Sequence, residues 1–219
     1  MSQSDTRCGS VLPRRLDVRP VSPSNLDQLH ALILEFARST NYQPPSGATL
    51  CTRQGLAKHL LGPKPKALAF LFYYHGEPVG YATAYFSFRT FRGQALLVGE
   101  DVYVRPQFQQ QKFGLEILAF LAKLSRDEGC ETSRGGTEND NEAMKQCFRC
   151  VGSHEVSGPA DPAKRQVYFG LEGKDRDRFI ERFYPSSTAS STSTSSSSSS
   201  SSPLEASSQP EAPKQVARL

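Results

Sequence analysis

The stretch Leu96–Leu121, LLVGEDVYVRPQFQQQKFGLEILAFL, decides the fold, because in it an apolar strand runs through a polar turn straight into an amphipathic helix. The first turn of a helix exposes backbone N–H groups that no carbonyl of the same helix can satisfy, and these groups carry partial positive charge. A strand that ends at such a helix start makes a site for an anion such as a pyrophosphate. Whether this turn binds an anion is therefore the question on which the function depends.

The flanking sequence predicts an α/β (α+β) fold in a single domain. Alternating or β-rich runs predict strands at 15–19, 67–74, 79–88, 95–104 and 165–171. Apolar residues spaced three and four apart, with turn residues at their ends, predict helices at 25–38, 52–61, 113–127 and 141–150. The first helix should be capped by Ser24 or Asn25. This order favours a mixed, mostly antiparallel sheet of about six or seven strands flanked by about four helices.

One strand in this scheme is weak. Segment 132–137, TSRGGT, has to be a strand for the order to hold, yet Gly135 and Gly136 cost conformational entropy and offer no side chain for packing. Either the strand is short, or a ligand or another backbone comes close to it.

Composition limits the domain and its partners. The chain has 219 residues and a net charge of +4, and 23 of the 34 residues from Ser186 onward are Ser, Thr, Pro or Gln. We predict a disordered N-terminus at 1–13, a folded domain at 14–185 and a disordered Ser-rich tail at 186–219. The Lys and Arg residues are scattered, which gives little support for nucleic-acid binding. No apolar run reaches the length of about 20 residues needed to cross a bilayer, so a cytoplasmic protein is expected.

The cysteines predict neither disulfides nor a metal site. Five of them are scattered along the chain, unlike the framework of a small secreted domain. Cys147 and Cys150 form a C-x-x-C inside a predicted helix, but no second pair of ligands accompanies them. Reduced structural thiols are the simplest interpretation.

This order of elements resembles the GNAT superfamily of acetyl-CoA-dependent N-acetyltransferases, and most closely the diamine (spermidine/spermine-type) acetyltransferases. Glu100-Asp101 stands at the acidic pair of that family's strand, Phe108 at its aromatic position, and Gln109 at the R/Q position of the R/Q-x-x-G-x-G/A turn, which ends here at Gly114. A second signature, N-E/x-x-A-x-x-F-Y-x-x-x-G, resembles the segment from Asn141 to Gly152.

The resemblance implies an enzyme that uses acetyl-CoA as co-substrate and acetylates a small primary amine by direct transfer. Its pyrophosphate should lie on the turn, and its pantetheine arm along a bulged strand. The cofactor-binding residues implied are Val102, Tyr103, Val104, Gln109, Gln110, Gln111, Lys112, Phe113, Gly114, Asn141 and Phe148. A homodimer is common among such proteins.

Two departures from the family pattern bear on activity. Lys112 replaces the first glycine of the turn, where a side chain can obstruct the phosphate or bind it as a point charge. Phe148 replaces the family's tyrosine, which protonates the departing thiolate, and phenylalanine has no proton to give. Cys147, Tyr103 or Tyr168 could act as the acid instead, or water could. Loss of general-acid assistance slows a reaction by about 10²- to 10⁴-fold, so reduced activity is expected rather than none.

The base and the substrate residues follow from the same comparison. Glu100 is the candidate base, acting through water, because partial burial at the strand end would raise its pKa. Asp101 would point to the opposite face unless a bulge intervenes. We place both acids at the substrate together with Arg89 and Arg92 of the preceding loop between the third and fourth strands, where two cations disfavour a polyamine and favour an acidic or carboxylate-bearing amine.

Two alternatives remain open at this point. One is a weakened GNAT-like protein that binds acetyl-CoA, or only partners, and serves as a scaffold. The other is a protein N-acetyltransferase that modifies a lysine or an N-terminus.

Overall fold

The computed structural model describes residues 12–46, 48, 50–156 and 166–185 of the chain. All the predicted strands and helices are present, with ends that differ from the prediction by one or two residues. The elements are β1 (Asp17–Pro20), α1 (Leu26–Ser39), α2 (Arg53–Leu60), β2 (Leu68–Tyr74), β3 (Glu77–Arg89), β4 (Gln94–Val104), α3 (Phe113–Asp127), β5 (Thr132–Glu138), α4 (Glu142–Cys150), β6 (His154–Glu155), β7 (Gln166–Glu172) and α5 (Gly173–Glu181).

The strands form one mixed sheet, as predicted. Their order is β1-β2-β3-β4-β5-β7-β6, and every neighbouring pair is antiparallel except β4 and β5, which are parallel. The parallel pair is joined through α3, as a parallel connection requires. Because β4 and β5 are neighbours inside the sheet, the turn that follows β4 lies next to β5.

Helices cover both faces of the sheet. Leu71 and Tyr81 pack with α1 and α2 on one face, whereas their neighbours Phe72 and Ala82 pack with α3 on the other, because side chains alternate along a strand. α5 packs against α3 through Phe179 and Ile180. Within the described residues, none of the helices combines the length and the apolar composition that crossing a membrane requires.

Two elements were not predicted, and one cap was predicted wrongly. β6 has two residues, and α5 is rich in charged side chains with only Phe179 and Ile180 buried along it, so neither has a clear apolar pattern. Asn25 does precede α1, but its Oδ1 accepts a hydrogen bond from Ser22 N at 2.7 Å and does not cap the helix.

The predicted segment boundaries fall mostly outside the described residues. Residues 1–11 and 186–219, which include nearly all of both predicted disordered segments, are not described, so those predictions stay as they were. At the start of the described part, Leu12 N donates to the Arg182 carbonyl at 2.8 Å. Further along, Glu116 of α3 is buried and accepts hydrogen bonds from Arg15 N and Leu16 N, both at 2.8 Å. These bonds fix the N-terminal strand against the helix that follows the central turn.

Candidate active site

The turn between β4 and α3 has the backbone that the glycine pattern predicts. Gln110 and Lys112 both lie in the left-handed region, at φ 63° and 67°, which side chains other than glycine rarely adopt. Lys112 directly precedes α3, and no side chain caps this helix. The N–H groups of its first turn are therefore available to an anion, and the exposed Lys112 adds a positive charge at the same helix start.

Two glutamines of this turn have structural contacts. Gln109 Nε2 donates to the Val104 carbonyl at 3.0 Å, which ties the turn back to the end of β4. The Gln111 carbonyl accepts a hydrogen bond from the Arg15 guanidinium, and Gln111 does not line the adjoining cleft. Of the cofactor-binding residues predicted in this turn, Gln111 lies outside the cleft. The others line it: Gln109, Gln110, Lys112, Phe113 and Gly114.

A cleft of about 880 Å³ opens where β4 and β5 separate. The hydrogen-bonded register between the two strands covers only Leu96–Gly99 and Thr132–Gly135. Beyond Gly99, β4 continues to Val104 without β5 as its neighbour, and this gap admits a narrow ligand between the strands. Ser133 Oγ lines the cleft, is buried, and has no hydrogen-bond partner among the described residues. Such an orphaned hydroxyl fits a polar pantetheine arm.

A β-bulge in β4 brings both acids to this cleft. Thr83 pairs with Asp101 while the next residue, Ala84, pairs with Gly99, so Glu100 is the extra residue. The bulge was the condition under which Glu100 and Asp101 could share one cleft, and both line it. The two carboxylates therefore lie where β4 and β5 part.

The predicted burial falls on Asp101 and not on Glu100. Glu100 is exposed, so the expectation that it would be partly buried was wrong. For Asp101, desolvation by burial, followed by the charge of Glu100, raises the pKa, and a hydrogen bond with Thr83 opposes this. Asp101 N donates to Thr83 Oγ1 at 3.2 Å, and that hydroxyl lies 3.4 Å from Asp101 Oδ2. Asp101 is thus held by a residue of the neighbouring strand.

The wall of the cleft opposite the turn is α4. Asn141 caps this helix by accepting a hydrogen bond from Met144 N at 3.0 Å. Phe148 is 7% exposed and stacks on Phe169, with ring centroids 4.9 Å apart. Both residues line the cleft. The side-chain oxygen of Asn141 therefore has a structural role in this structure.

The two glycines of β5 are explained by aromatic rings. A Cβ on Gly135 would lie 2.8 Å from Phe148 Cζ, and one on Gly136 would lie 2.9 Å from the Tyr168 ring. The strand is complete, at seven residues. Neither predicted explanation, a short strand or a close ligand or backbone, is needed, because a ring packs over each glycine on opposite faces.

Sequence and structure comparisons agree with this geometry. The model of the acetyltransferase (GNAT) family matches residues 42–152, about half of the chain. This chain belongs to the GNAT family. The thialysine N-epsilon-acetyltransferase of Bos taurus is 30% identical over 87 residues, which are 37% of this chain and 51% of that protein. The protein of the same name from Caenorhabditis elegans is 29% identical over 117 residues, 53% of this chain and 69% of that one.

The chain thus spans about half the length of the bovine relative. Solved structures support the fold alone. A probable acetyltransferase superimposes with a TM-score of 0.56 at 18% identity, over 68% of this chain and 96% of that one. The Salmonella typhimurium protein yncA, solved with acetyl-CoA, gives a TM-score of 0.52 at 20% identity, over 73% of this chain and 94% of that one.

Tyr103 and Cys147, two of the predicted proton donors of this GNAT chain, have different surroundings. Tyr103 OH donates to Glu35 Oε1 at 2.9 Å, and burial together with Glu35 raises the pKa of Tyr103 to about 12. Its hydroxyl proton is thus directed at α1. Burial, and then the charge of Cys150, raises the pKa of Cys147 to about 11, so this cleft-lining thiol keeps its proton at neutral pH. The described cysteines form no disulfide with one another.

The predicted substrate arginines do not line the cleft. Arg89 and Arg92 border a separate cavity of about 270 Å³, with Arg134, His154, Val156 and Glu172. They do not lie beside Glu100 and Asp101, because the hairpin that carries them extends to the far end of β3 and β4, and their role at the substrate stays a prediction. Among the described residues, no cluster of three or more His, Cys, Asp or Glu side chains could hold a metal ion.

Several site residues were not singled out from the sequence. Thr83 and Ser133 are ordinary strand residues until the register is known, and Arg134 and His154 come from β5 and β6. Only Ser133 and Arg134 could have been noticed in the sequence, because they precede the unusual pair of glycines, Gly135 and Gly136.

Proposed function

We propose that this GNAT chain is an acetyl-CoA-dependent N-acetyltransferase that transfers the acetyl group directly to a primary amine. The observation that carries the proposal is the β4 bulge, which puts two carboxylates in the same cleft as the uncapped start of α3. One end of the cleft suits a pyrophosphate and the other suits an ammonium group. Its curated relatives are named for acetylation at an ε-nitrogen.

Acetyl-CoA would bind with its pyrophosphate on the first turn of α3. The N–H groups there and the Lys112 ammonium would contact the phosphate oxygens, and the pantetheine would enter the gap between β4 and β5. The backbone of Val102–Val104 would run along this arm, with Ser133 Oγ opposite. The thioester would then lie near Glu100 and Asp101.

The reaction would proceed by direct attack. Glu100, through a water molecule, would accept a proton from the acceptor ammonium, and the free nitrogen would attack the thioester carbonyl carbon. The tetrahedral intermediate would lose the second proton of its nitrogen to water and collapse with cleavage of the C–S bond, giving the amide and a CoA thiolate. Water would protonate that thiolate, because the Cys147 thiol, although it lines the cleft, has a raised pKa and is a weaker acid than an ordinary thiol.

Two measurements test this proposal. Calorimetric titration with acetyl-CoA should show saturable binding, and CoA release should be seen with at least one member of a panel of primary amines. Glu100→Gln should lower kcat by about 10²- to 10⁴-fold, the usual contribution of a general base. Glu181→Gln, which removes an exposed carboxylate on α5, is the matched control and should leave kcat unchanged. Binding of acetyl-CoA without transfer to any amine would overturn the proposal.

The pH–rate profile separates the two acids. If Asp101 were the base, kcat/KM would fall as the pH drops through its raised pKa, because protonation removes the base. Asp101→Asn would then lower kcat by as much as is predicted above for Glu100→Gln. A loss in Asp101→Asn with full activity in Glu100→Gln would transfer the role to Asp101.

A second candidate is a GNAT protein that binds acetyl-CoA with weak catalysis or none. The observation in its favour is Phe148, which occupies the position of the family's tyrosine. Phe148→Tyr discriminates between the two. An increase in kcat of about tenfold or more, within the range of general-acid catalysis, would identify an enzyme that lacks its acid. Unchanged, negligible turnover with intact acetyl-CoA affinity would favour the binding protein.

A homodimer is also proposed, on the hairpin of β3 and β4. β3 pairs with β2 only as far as Ala84, so its last residues have a free edge on that side. Tyr85, Phe86, Phe88 and Phe91 are exposed there. An unpaired edge with exposed aromatic side chains is a surface that a second copy can cover. Light scattering should give a dimer for the native chain and a monomer for Phe88→Ser combined with Phe91→Ser.

A further inference from the structure

The second cavity, here called the basic pocket, lies apart from the cleft. It has a volume of about 270 Å³ and is lined by Arg89, Arg92, Arg134, His154, Val156 and Glu172. Nothing in the proposed transfer reaction requires a cluster of cations at this place. The pocket therefore calls for an explanation of its own.

The sheet register builds the basic pocket. Arg134 of β5 and His154 of β6 both pair with Gly170 of β7, so their side chains share the face opposite Phe169. Gly170 has no side chain there, and a Cβ on it would lie 3.2 Å from Val156 and 3.8 Å from His154 Nε2. The missing side chain leaves the space. From the hairpin, Arg89 reaches this face and lies 3.7 Å from Glu172.

Positive charge dominates the basic pocket. Three guanidinium groups face a single carboxylate, Glu172, whose Oε2 already accepts a hydrogen bond from Thr132 Oγ1 at 2.8 Å. Arg92 is exposed, and no ion pair holds it within the described part of the chain. The cations exceed the acids, so an added anion would be bound favourably.

Arg134 shows that an acceptor is missing. Its Nε is buried and has no hydrogen-bond partner among the described residues. Its guanidinium carbon lies 4.5 Å from the centre of the Tyr168 ring, and this stacking fixes the direction of its N–H groups. A guanidinium that is held in one orientation and whose buried Nε lacks an acceptor is suited to a planar or tetrahedral oxyanion, which accepts two hydrogen bonds at once.

The basic pocket and the cleft share one lining residue. Arg134 lines both cavities, whereas Glu100 and Asp101 line only the cleft. A molecule that placed its amine at the two carboxylates could therefore extend past Arg134 with its other end. The carboxylates would select the ammonium group, and the arginines would select an opposite charge at a distance from it.

We propose that the basic pocket binds an anionic group, a carboxylate or a phosphate, carried by the acceptor amine. This inference rests on the proposed acetyl transfer for its acceptor, but the pocket itself can be tested without any reaction. Arg89, Arg92 and Arg134 are then residues that determine specificity, and a polyamine is a poor acceptor because it would bring a second cation to them.

The first experiment measures anion binding by the full chain alone. Glutarate and inorganic phosphate are the probes. Their binding is monitored in ¹H–¹⁵N spectra through the resonances of residues around Arg134. Saturable binding is expected, weakened about tenfold in Arg92→Gln, which is the loss of one charge-assisted hydrogen bond. Arg178→Gln, an exposed arginine on α5, is the matched control and should not change it. The tighter probe identifies the anion, and no saturable binding of either overturns the proposal.

The second experiment measures acetylation of matched amines. Lysine is compared with 1,5-diaminopentane, which lacks its carboxylate, and phosphoethanolamine with ethanolamine. At least one anion-bearing amine should have a kcat/KM about tenfold higher than its partner, and Arg92→Gln should abolish that preference. Equal values within both pairs would overturn the assignment to the acceptor. If no amine is acetylated while the probes still bind in an Arg92-dependent way, the proposed transfer fails and the pocket remains an anion site.

Discussion

The starts of α3 and α4 border the same cleft and are completed in opposite ways. α4 begins after Asn141, whose side chain accepts a hydrogen bond from Met144 N at 3.0 Å. α3 begins after Lys112, which has a left-handed backbone at φ 67° and provides no side-chain cap. The cap satisfies one of the N–H groups of its own helix, whereas an uncapped start leaves all the N–H groups of its first turn for a ligand. The comparison indicates that the anion belongs at α3 and that α4 is a fixed wall.

The side chains behind the two helix starts fit this division. Lys112 is exposed at the mouth of the cleft, with its ammonium free to approach a phosphate. On α4, Phe148 is buried and stacks against Phe169 over Gly135. Substitutions at α3 should therefore change ligand affinity, and substitutions at or below α4 should change stability.

The largest effect is expected from reversing the charge at the start of α3. Lys112→Glu replaces a charge-assisted contact with repulsion of the pyrophosphate, so the affinity for acetyl-CoA should fall by about 10- to 100-fold. Calorimetric titration at low salt measures this. The thermal stability should change little, because Lys112 is exposed.

Lys174→Glu is the matched control, since it makes the same charge change at an exposed position on α5. It should leave acetyl-CoA affinity nearly unchanged. Equal losses in the two variants would show that Lys112 acts only through the net charge of the chain, and the comparison of helix starts would lose its main support.

The next effect concerns the wall. Gly135→Ala would place a Cβ 2.8 Å from Phe148 Cζ, so the ring or the strand must shift, and overpacking of this kind costs about 1–3 kcal/mol. A lower midpoint of urea unfolding measures the loss. Gly114→Ala is the control, because a Cβ there meets nothing within 4 Å and a helix favours alanine. A larger loss in Gly114→Ala would contradict the assignment of α4 as the packed side.

The sequence was sufficient to predict most helices and strands and the turn between β4 and α3, because both depend on local patterns. The spacing of apolar residues located α3 within its observed ends, Phe113 and Asp127. The family pattern placed a glycine at Lys112, and the backbone there has the conformation that glycine favours. α5 was missed because its helix is mostly charged, with only Phe179 and Ile180 buried.

The two acids show what the sequence could not give. A bulge could be stated as a condition for Glu100 and Asp101 to share a cleft, but its place depends on which residue of β3 faces each of them. Thr83 pairs with Asp101 across the bulge, and this register decides that Asp101 is the more buried acid. Neighbouring residues in the sequence do not report such a register.

The misplaced arginines have a similar cause. Arg89 and Arg92 lie on a hairpin whose sequence says nothing about the strands beyond β4. The parallel pairing of β4 and β5, followed by β7 and β6, brings Arg134, His154 and Glu172 to that hairpin from later in the chain. Because of these pairings between distant parts of the chain, the predicted substrate loop forms one side of a separate pocket.

A smaller effect is expected at the start of α4. Asn141→Ala removes the cap and should lower the free energy of unfolding by about 1 kcal/mol, whereas Asn141→Asp retains an acceptor and should cost less. Urea unfolding of both variants measures this, with acetyl-CoA affinity recorded in parallel. If Asn141→Ala left stability unchanged and weakened acetyl-CoA by tenfold, Asn141 would be a ligand contact and α4 would not be a purely structural wall.

The smallest effect is expected from giving α3 the glycine that its backbone conformation favours. The left-handed region costs a side-chain-bearing residue about 1–2 kcal/mol, and the greater freedom of glycine in the unfolded chain offsets about 0.5–1 kcal/mol of that. Lys112→Gly should therefore raise the free energy of unfolding slightly, even though a helix-forming residue is lost. Lys123→Gly, in the interior of the same helix, should lower it by about 1 kcal/mol. If both variants were destabilised equally, the left-handed backbone at Lys112 would not be strained. If Lys112→Gly also bound acetyl-CoA as tightly as the native chain, the backbone N–H groups, and not the ammonium, would provide the anion site.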